Sequence, residues 1–364
     1  MKILHVYNHF YPCVGGVERY IEDLCVHLLK LGHISDVCCL NTCADSKETL
    51  KPLETYKGIR IYRIPYTDLK YYKIAPKVLK IAKKYDIIHV HGLGFFLDFL
   101  TSTKRFHKKP IILSTHGGIF HTKKLLFFKR IYFTLWSKRK LKKVDRIIAV
   151  SRNDEDLFSQ ISKNVVLIPD GIEYEKYSTV KRKPEEWTFL FVGRLSPNKR
   201  VDRLIKLVEI LKSEIPEVKL YVAGKDWKGE RKKLEELVRR RGVTNNVIFT
   251  GEISESEKLR LFSKAEFFLS ASEYEGFGIS VIEAMSAGVP VILNDIDAFR
   301  NLVKPFKNGF IINFSKPEDV KNLILEIKNK NHIPKISANA RKEAKKYDWS
   351  SIIKEIENVY RRCV

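Results

Sequence analysis

Two carboxylates, Glu275 and Glu283, stand eight residues apart in the stretch 273–293, EYEGFGISVIEAMSAGVPVIL. Between them the turn Gly276-Phe277-Gly278 offers glycines for close backbone approach, and the run that follows is apolar on nearly every side. A helix of that kind is expected to be buried. A glutamate in its second turn would then cost several kcal/mol, roughly, unless hydrogen-bond donors meet it, and ligand hydroxyls are one possible set of donors. Glu275, on the loop before the helix, would face the same ligand from the other end, with the amides of the first helical turn aimed at any anionic group between. The spacing points to a sugar-nucleotide site.

A second constellation is cationic. Gly193-Arg194 ends an apolar run at 188–192 and Ser196, Pro197, Asn198 and Lys199 lead into the next helical pattern, so Arg194 and Lys199 lie five apart at a strand-to-helix junction. Two cations there, with helix amides, can neutralise a departing diphosphate without a metal. Gly15-Gly16-Val17-Glu18 opens a helix after the first strand, a turn whose amides could meet a phosphate. His89 and His91 share one face of a strand end, and Thr115-His116-Gly117-Gly118 brings a third imidazole to the next strand end. Three such histidines could hold zinc or polarise a sugar, but no further His or Asp pattern completes a ligand set. Asp295-Ile296-Asp297 has the form of a metal-binding Asp-x-Asp, yet it follows a late strand, where that motif does not belong.

These motifs resemble those of glycosyltransferase family 4, a group of retaining enzymes with the GT-B fold, over nearly the whole chain. The resemblance implies an α/β protein of two doubly wound Rossmann-like domains facing across a cleft. It assigns hydroxyls of the donor sugar to Glu275, the nucleotide ribose to Glu283, and the donor phosphates to Arg194 and Lys199, with Gly15 and Gly16 touching phosphate from the first domain. His116 would lie beside the reacting sugar. The catalytic set is then His116, Arg194, Lys199 and Glu275, with Gly276, Phe277 and Gly278 shaping the donor site. No metal and no cofactor is expected; the nucleoside-diphosphate sugar is a co-substrate, and because the resemblance implies that the leaving phosphate takes the acceptor proton on the same face, through an oxocarbenium-like transition state, no carboxylate nucleophile is nominated. Glu18 is left between an acceptor-side and a structural role, and His89 and His91 lean to the same pair of roles. The chain departs from the family at Ala298-Phe299-Arg300-Asn301, where many members have a Gly-Gly and a glutamate, and at Asp170-Gly171, where Asn-Gly is commoner and either serves a tight turn.

The elements that must position these groups alternate. Strand-like runs at 2–8, 36–41, 87–92, 110–116, 146–151 and 165–171, with a helix over 17–31, predict one parallel sheet, and runs at 188–194, 219–225, 247–251, 266–272 and 289–294 predict a second. A polar stretch, 177–187, separates them. The expected organisation is an acceptor-side domain over 1–178, a nucleotide-sugar domain over 179–346, and a terminal amphipathic helix, 347–364, which in GT-B proteins commonly crosses back to the first domain.

With 364 residues the chain suits two cores. Its net charge of +24 is lopsided: residues 1–183 carry 34 of the 67 Lys and Arg but 17 of the 43 Asp and Glu. The densest basic stretch, 120–146, interleaves cations with Phe, Leu and Trp. It suits a membrane interface or lipid-linked acceptor as well as it suits an ordinary amphipathic core helix; nucleic acid is the disfavoured partner. Five of six cysteines precede residue 44 without a Cys-x-x-Cys pair, and are expected to be small buried hydrophobes in a reducing cytosol. The opening MKILHVYNHFYP reads as a strand rather than a secretory leader, so a cytoplasmic protein is expected, working at the inner face of the cell membrane if its acceptor is lipid-linked. A glycan or lipid-linked acceptor is expected. The competing classes are a sugar-nucleotide epimerase or hydrolase of the same fold, which would free sugar without an acceptor, and a basic nucleic-acid-binding protein, which would keep its affinity after Glu275→Ala.

Overall fold

The computed structural model describes all residues except 14, 44, 45, 47, 70, 71, 117–137 and 330–332. It divides into two compact units, one formed by Met1–Gly171 together with Trp349–Val364, the other by Ile172–Asp348. The first boundary falls seven residues before the expected 178/179, because Ile172 and Tyr177 are buried in the core of the second unit. The second falls just before Trp349, whose helix, Trp349–Arg361, buries Trp349, Ile352, Ile353, Ile356, Val359 and Tyr360 in the first unit's core.

The first unit holds an eight-stranded sheet in the order Val165–Leu167, Arg146–Ala149, Ile111–Ser114, Ile87–His91, Lys2–Val6, Ile34–Leu40, Ile59–Ile64, Leu53–Tyr56. Every pairing is parallel except the last. Strands buried on both faces, such as Ile87–His91, read as continuous runs because helices cover both sides. The hairpin of Leu53–Tyr56 and Ile59–Ile64 was not expected from the sequence. Leu53–Tyr56 is a polar edge strand of four residues, and the pair turns on Lys57-Gly58, both with positive φ.

The second unit is a six-stranded, wholly parallel sheet in the order Val247–Gly251, Lys219–Ala223, Thr188–Val192, Phe267–Ser270, Val291–Asn294, Phe310–Ile312. Phe310–Ile312 is a further strand that the sequence reading missed, three residues long and therefore without a usable period. Each sheet reverses its winding once. In the first unit the reversal lies between Lys2–Val6 and Ile87–His91, and in the second between Thr188–Val192 and Phe267–Ser270. Crevices at the carboxyl ends of such strand pairs are where open α/β sheets take ligands.

One cysteine expectation is corrected. Cys13 and Cys43 form a disulfide, while Cys25, Cys38 and Cys39 are free and buried and Cys363 is free and half-buried. The two bridged residues follow the carboxyl ends of the neighbouring parallel strands Lys2–Val6 and Ile34–Leu40, so pairing in the sheet brings together positions thirty apart in sequence.

Candidate active site

At the second unit's reversal point Lys199 and Glu275 come into contact, and Arg194 follows the strand beside them. Strand Thr188–Val192 ends at Gly193, and the backbone there is drawn against Gly224: a Cβ on Gly224, whose φ is +145°, would lie 1.9 Å from the Gly193 carbonyl oxygen. Only glycine fits. Leu195 N–H then donates to Lys225 O at 2.9 Å, and Trp227 N–H to Leu195 O at 3.1 Å. The Arg194 guanidinium is held over the Trp227 ring, 4.6 Å from its centroid, with the residue itself exposed.

Pro197–Lys199 forms a single 3₁₀ turn, after which Arg200, in the left-handed region, opens the helix Val201–Lys212. This turn is tied to the loop that follows the adjacent strand Phe267–Ser270. Glu273 N–H donates to Asn198 O at 2.8 Å, and Arg200 and Arg203 both donate to Glu273 Oε1, at 2.5 and 2.6 Å. The two loops are thus hydrogen-bonded together, and Lys199 Nζ donates to Glu275 Oε1, which also accepts from Ser272 Oγ at 3.1 Å. The lysine and glutamate side chains are 17% and 15% exposed, open enough for a ligand to reach both.

Gly276 and Phe277 continue that loop. Phe277 is buried and packs edge-on against Tyr347, with ring centroids 5.4 Å apart. Gly278 caps the helix Ile279–Ser286 at φ +101°, and a Cβ there would press on Leu302 and Phe299 at 3.3 Å. The helix is buried as its composition requires, Glu283 with it.

Glu283 meets protein donors where ligand hydroxyls were one expectation. Lys258 Nζ reaches both of its carboxylate oxygens at 2.9 Å, and Tyr177 O–H donates to Oε1 at 2.7 Å. Glu255 extends the network, accepting from Lys176 at 2.7 Å, with its Oε2 3.1 Å from the Tyr177 hydroxyl oxygen. The pair of buried charges is thus compensated inside the protein. Neither Lys258 nor Tyr177 was singled out from sequence. The signal for Lys258 was present: in the helix Glu255–Lys264 it shares one face with buried Leu261 and Phe262, an unusual place for an unpaired lysine. Tyr177 lay hidden in the presumed linker.

The Asp-x-Asp motif is occupied by its own neighbour. Arg300 donates to both oxygens of Asp295, at 2.5 and 2.8 Å, and lies 3.5 Å from Asp297.

Gly15, Gly16 and His116 belong to the first unit. Gly16 opens the helix Gly16–Lys30, and a Cβ on it would meet nothing within 4 Å; a Cβ on Gly15 would strike the Glu18 carboxylate. His116 follows the strand Ile111–Ser114 in the left-handed region, φ +47°, a place that a non-glycine residue holds only under constraint. Its Nε2 lies 3.0 Å from His91 Nδ1, and His91 Nε2 lies 3.0 Å from His5 Nδ1. His89 stands apart, with Nδ1 at 2.7 Å from the Tyr360 hydroxyl and Nε2 at 2.8 Å from Ser114 Oγ. Burial holds all four imidazoles well below their usual range, His5 down to about 3, with neighbouring imidazoles adding to the effect at His89 and His91. They are neutral at pH 7. His5, His89 and His91 come close enough to surround a cation, yet both nitrogens of His89 and of His91 are engaged by neighbours, so an ion would have to displace those bonds.

Asp170 departs from the simple turn role expected of it. Its carboxyl is buried, Oδ1 has no hydrogen-bond partner among the described residues, and burial together with the Asp154 charge pushes its pKa up to about 7. Gly171 is required by packing, since a Cβ would lie 2.4 Å from the Trp349 ring. The basic-aromatic stretch 120–146 falls outside the described residues up to 137, as do Gly117 and Gly118.

Comparison with known proteins shows the family and the fold. The family described as Glycosyl transferases group 1 matches residues 174–347, and Glycosyltransferase Family 4 matches residues 14–176. The GDP-mannose:cellobiosyl-diphosphopolyprenol alpha-mannosyltransferase of Xanthomonas campestris is 31% identical over 97% of this chain and 94% of its own length. The chain belongs to glycosyltransferase family 4. Another relative of this family 4 member, the alpha-monoglucosyldiacylglycerol synthase of Streptococcus pneumoniae, is 29% identical over 90% of this chain and 78% of its own. Among solved structures, Anabaena HepE in complex with UDP-glucose superposes with a TM-score of 0.76 at 19% identity, covering 100% of both chains. This family 4 glycosyltransferase accordingly has the GT-B fold, its two units being the two Rossmann-like domains.

Proposed function

We propose that this glycosyltransferase moves a hexosyl group, with retention, from a nucleoside-diphosphate sugar to a lipid-linked acceptor at a membrane surface. The observation that carries the reading is the contact of Lys199 with Glu275 at the winding reversal of the second sheet. A cation for the donor phosphates and a carboxylate for the sugar hydroxyls are side by side there. Arg194 adds the second cation, and Glu283, fixed by Lys258 and Tyr177, is the group for the ribose. The names of the relatives support a lipid-linked acceptor, and three of them support GDP-mannose as the donor.

In the reaction the bond between the anomeric carbon and the diphosphate oxygen breaks while the acceptor oxygen bonds the same face. The acceptor proton passes to the departing phosphate. Charge grows on the leaving diphosphate, and Arg194, Lys199 once drawn from Glu275, and the amides near Gly278 stabilise it. Gly15 and Gly16 supply amides for the phosphate, and His116 contacts the reacting sugar. Arg194 and Lys199 supply the positive charge that a divalent ion would otherwise bring to this step, and Asp295 and Asp297 are both paired with Arg300.

The test is a transfer assay with GDP-mannose and a glycosylated diphosphopolyprenol, with and without chelator. The expected outcome is a chelator-resistant, acceptor-dependent product whose new linkage keeps the donor's anomeric configuration by NMR. Sugar release that ignores the acceptor would favour a hydrolase or epimerase, and an inverted linkage would refute retention.

A further inference from the structure

Three imidazoles of the first unit form a hydrogen-bonded line, His5 Nδ1 to His91 Nε2 at 3.0 Å and His91 Nδ1 to His116 Nε2 at 3.0 Å. His5 and His91 are buried, and the line ends inward at His5 Nε2, a buried atom with no partner among the described residues. A neutral imidazole carries one N–H and one bare nitrogen, so the line has only two self-consistent states.

In one state every proton sits on Nδ1. His5 donates to His91, His91 donates to His116, and the unpartnered His5 Nε2 is a bare lone pair. In the other every proton sits on Nε2, and His5 then buries an N–H with no acceptor. Buried N–H groups left without an acceptor are the rarer defect in folded proteins, and acceptors are left under-used more often. The first state is therefore favoured at the inner end, and each link transmits the choice outward.

We propose that His5 and His91 are positioning residues that fix His116 as the Nδ1–H tautomer, so that His116 presents a hydrogen-bond donor to an oxygen of the reacting sugar. The tautomer of a histidine is set by what its other nitrogen bonds to, and here that partner is itself set one residue deeper. This proposal rests on the reading that His116 faces the donor sugar.

Isotope-labelled histidine in the full-length protein, read by proton–nitrogen correlation NMR at neutral pH, reports the tautomer directly. His116 is assigned by the signal lost in His116→Gln. A proton on His116 Nδ1 is expected, and a proton on Nε2 overturns the proposal. His5→Leu removes the inner donor and should let Nε2–H populate at His116, lowering kcat about tenfold, the worth of one good hydrogen bond, with KM for the donor within about twofold. His5→Asn, whose amide can donate from the Nδ1 position, should restore both the tautomer and kcat. A folded His5→Leu enzyme with wild-type kcat overturns the inference, and if that variant does not fold the wild-type tautomer decides. Failure of the underlying reading looks different: His116→Gln would leave kcat and KM unchanged whichever tautomer the wild type shows.

Discussion

Lys199 Nζ donates to Glu275 Oε1, so the residue proposed for the donor phosphates is in contact with the residue proposed for the donor sugar. A bound nucleotide sugar must draw them apart, each onto its own part of the ligand. Glu275→Gln removes the charge that competes with phosphate for Lys199. Calorimetry should show GDP binding unchanged or a fewfold tighter in that variant while GDP-mannose turnover falls by about a hundredfold, the scale for losing one charged transition-state contact. Loss of GDP binding with turnover intact would reverse the two assignments.

Lys258 and Glu283 form a buried pair, and removing one partner strands the other. Lys258→Met should destabilise the protein by about 3 kcal/mol or more in urea unfolding. Adding Glu283→Gln should recover part of that loss. A single variant as stable as the wild type would mean that Glu283 finds its compensation elsewhere.

Gly16 and Gly224 should answer oppositely to alanine. At Gly224 the new Cβ meets the Gly193 carbonyl in a left-handed backbone, and stability should drop by about 3 kcal/mol or more. At Gly16 the space is open, so Gly16→Ala should keep stability within about 1 kcal/mol. If its amide approaches donor phosphate, KM for the donor should nevertheless rise severalfold; unchanged kinetics would remove Gly16 from the site.

Asp170 is expected to make a contribution that turns destabilising as pH rises. Its pKa is raised from 3.8 to about 7, so the folded state keeps a proton that the unfolded chain loses, and the penalty grows as pH climbs through that window. The difference in Tm, Asp170→Asn minus wild type, should therefore increase between about pH 4 and pH 7 and level off above about pH 8. A difference independent of pH would show the carboxyl ionised throughout.

Much of this was legible in the residues themselves. The parallel sheets were visible because strands such as Ile87–His91, buried on both faces, read as unbroken apolar runs. Glu283 could be placed in a buried helix because Val281, Ile282, Ala284 and Met285 leave it no polar face. What escaped was set by tertiary contact. The Leu53–Tyr56 hairpin is too short and polar to announce itself, the Cys13–Cys43 bridge depends on which strands neighbour each other, and Tyr177 looked like linker until its hydroxyl was found on Glu283. His5, at one position of a five-residue strand, gave no sign that it terminates a chain of imidazoles.

The most direct test of the central claim is calorimetric titration of GDP into the wild type and into Lys199→Ala. The account predicts an affinity well over tenfold weaker in the variant, the loss of a charge-assisted bond to phosphate. Equal affinity in the two proteins would contradict it, because Lys199 would then have no part in holding the nucleotide.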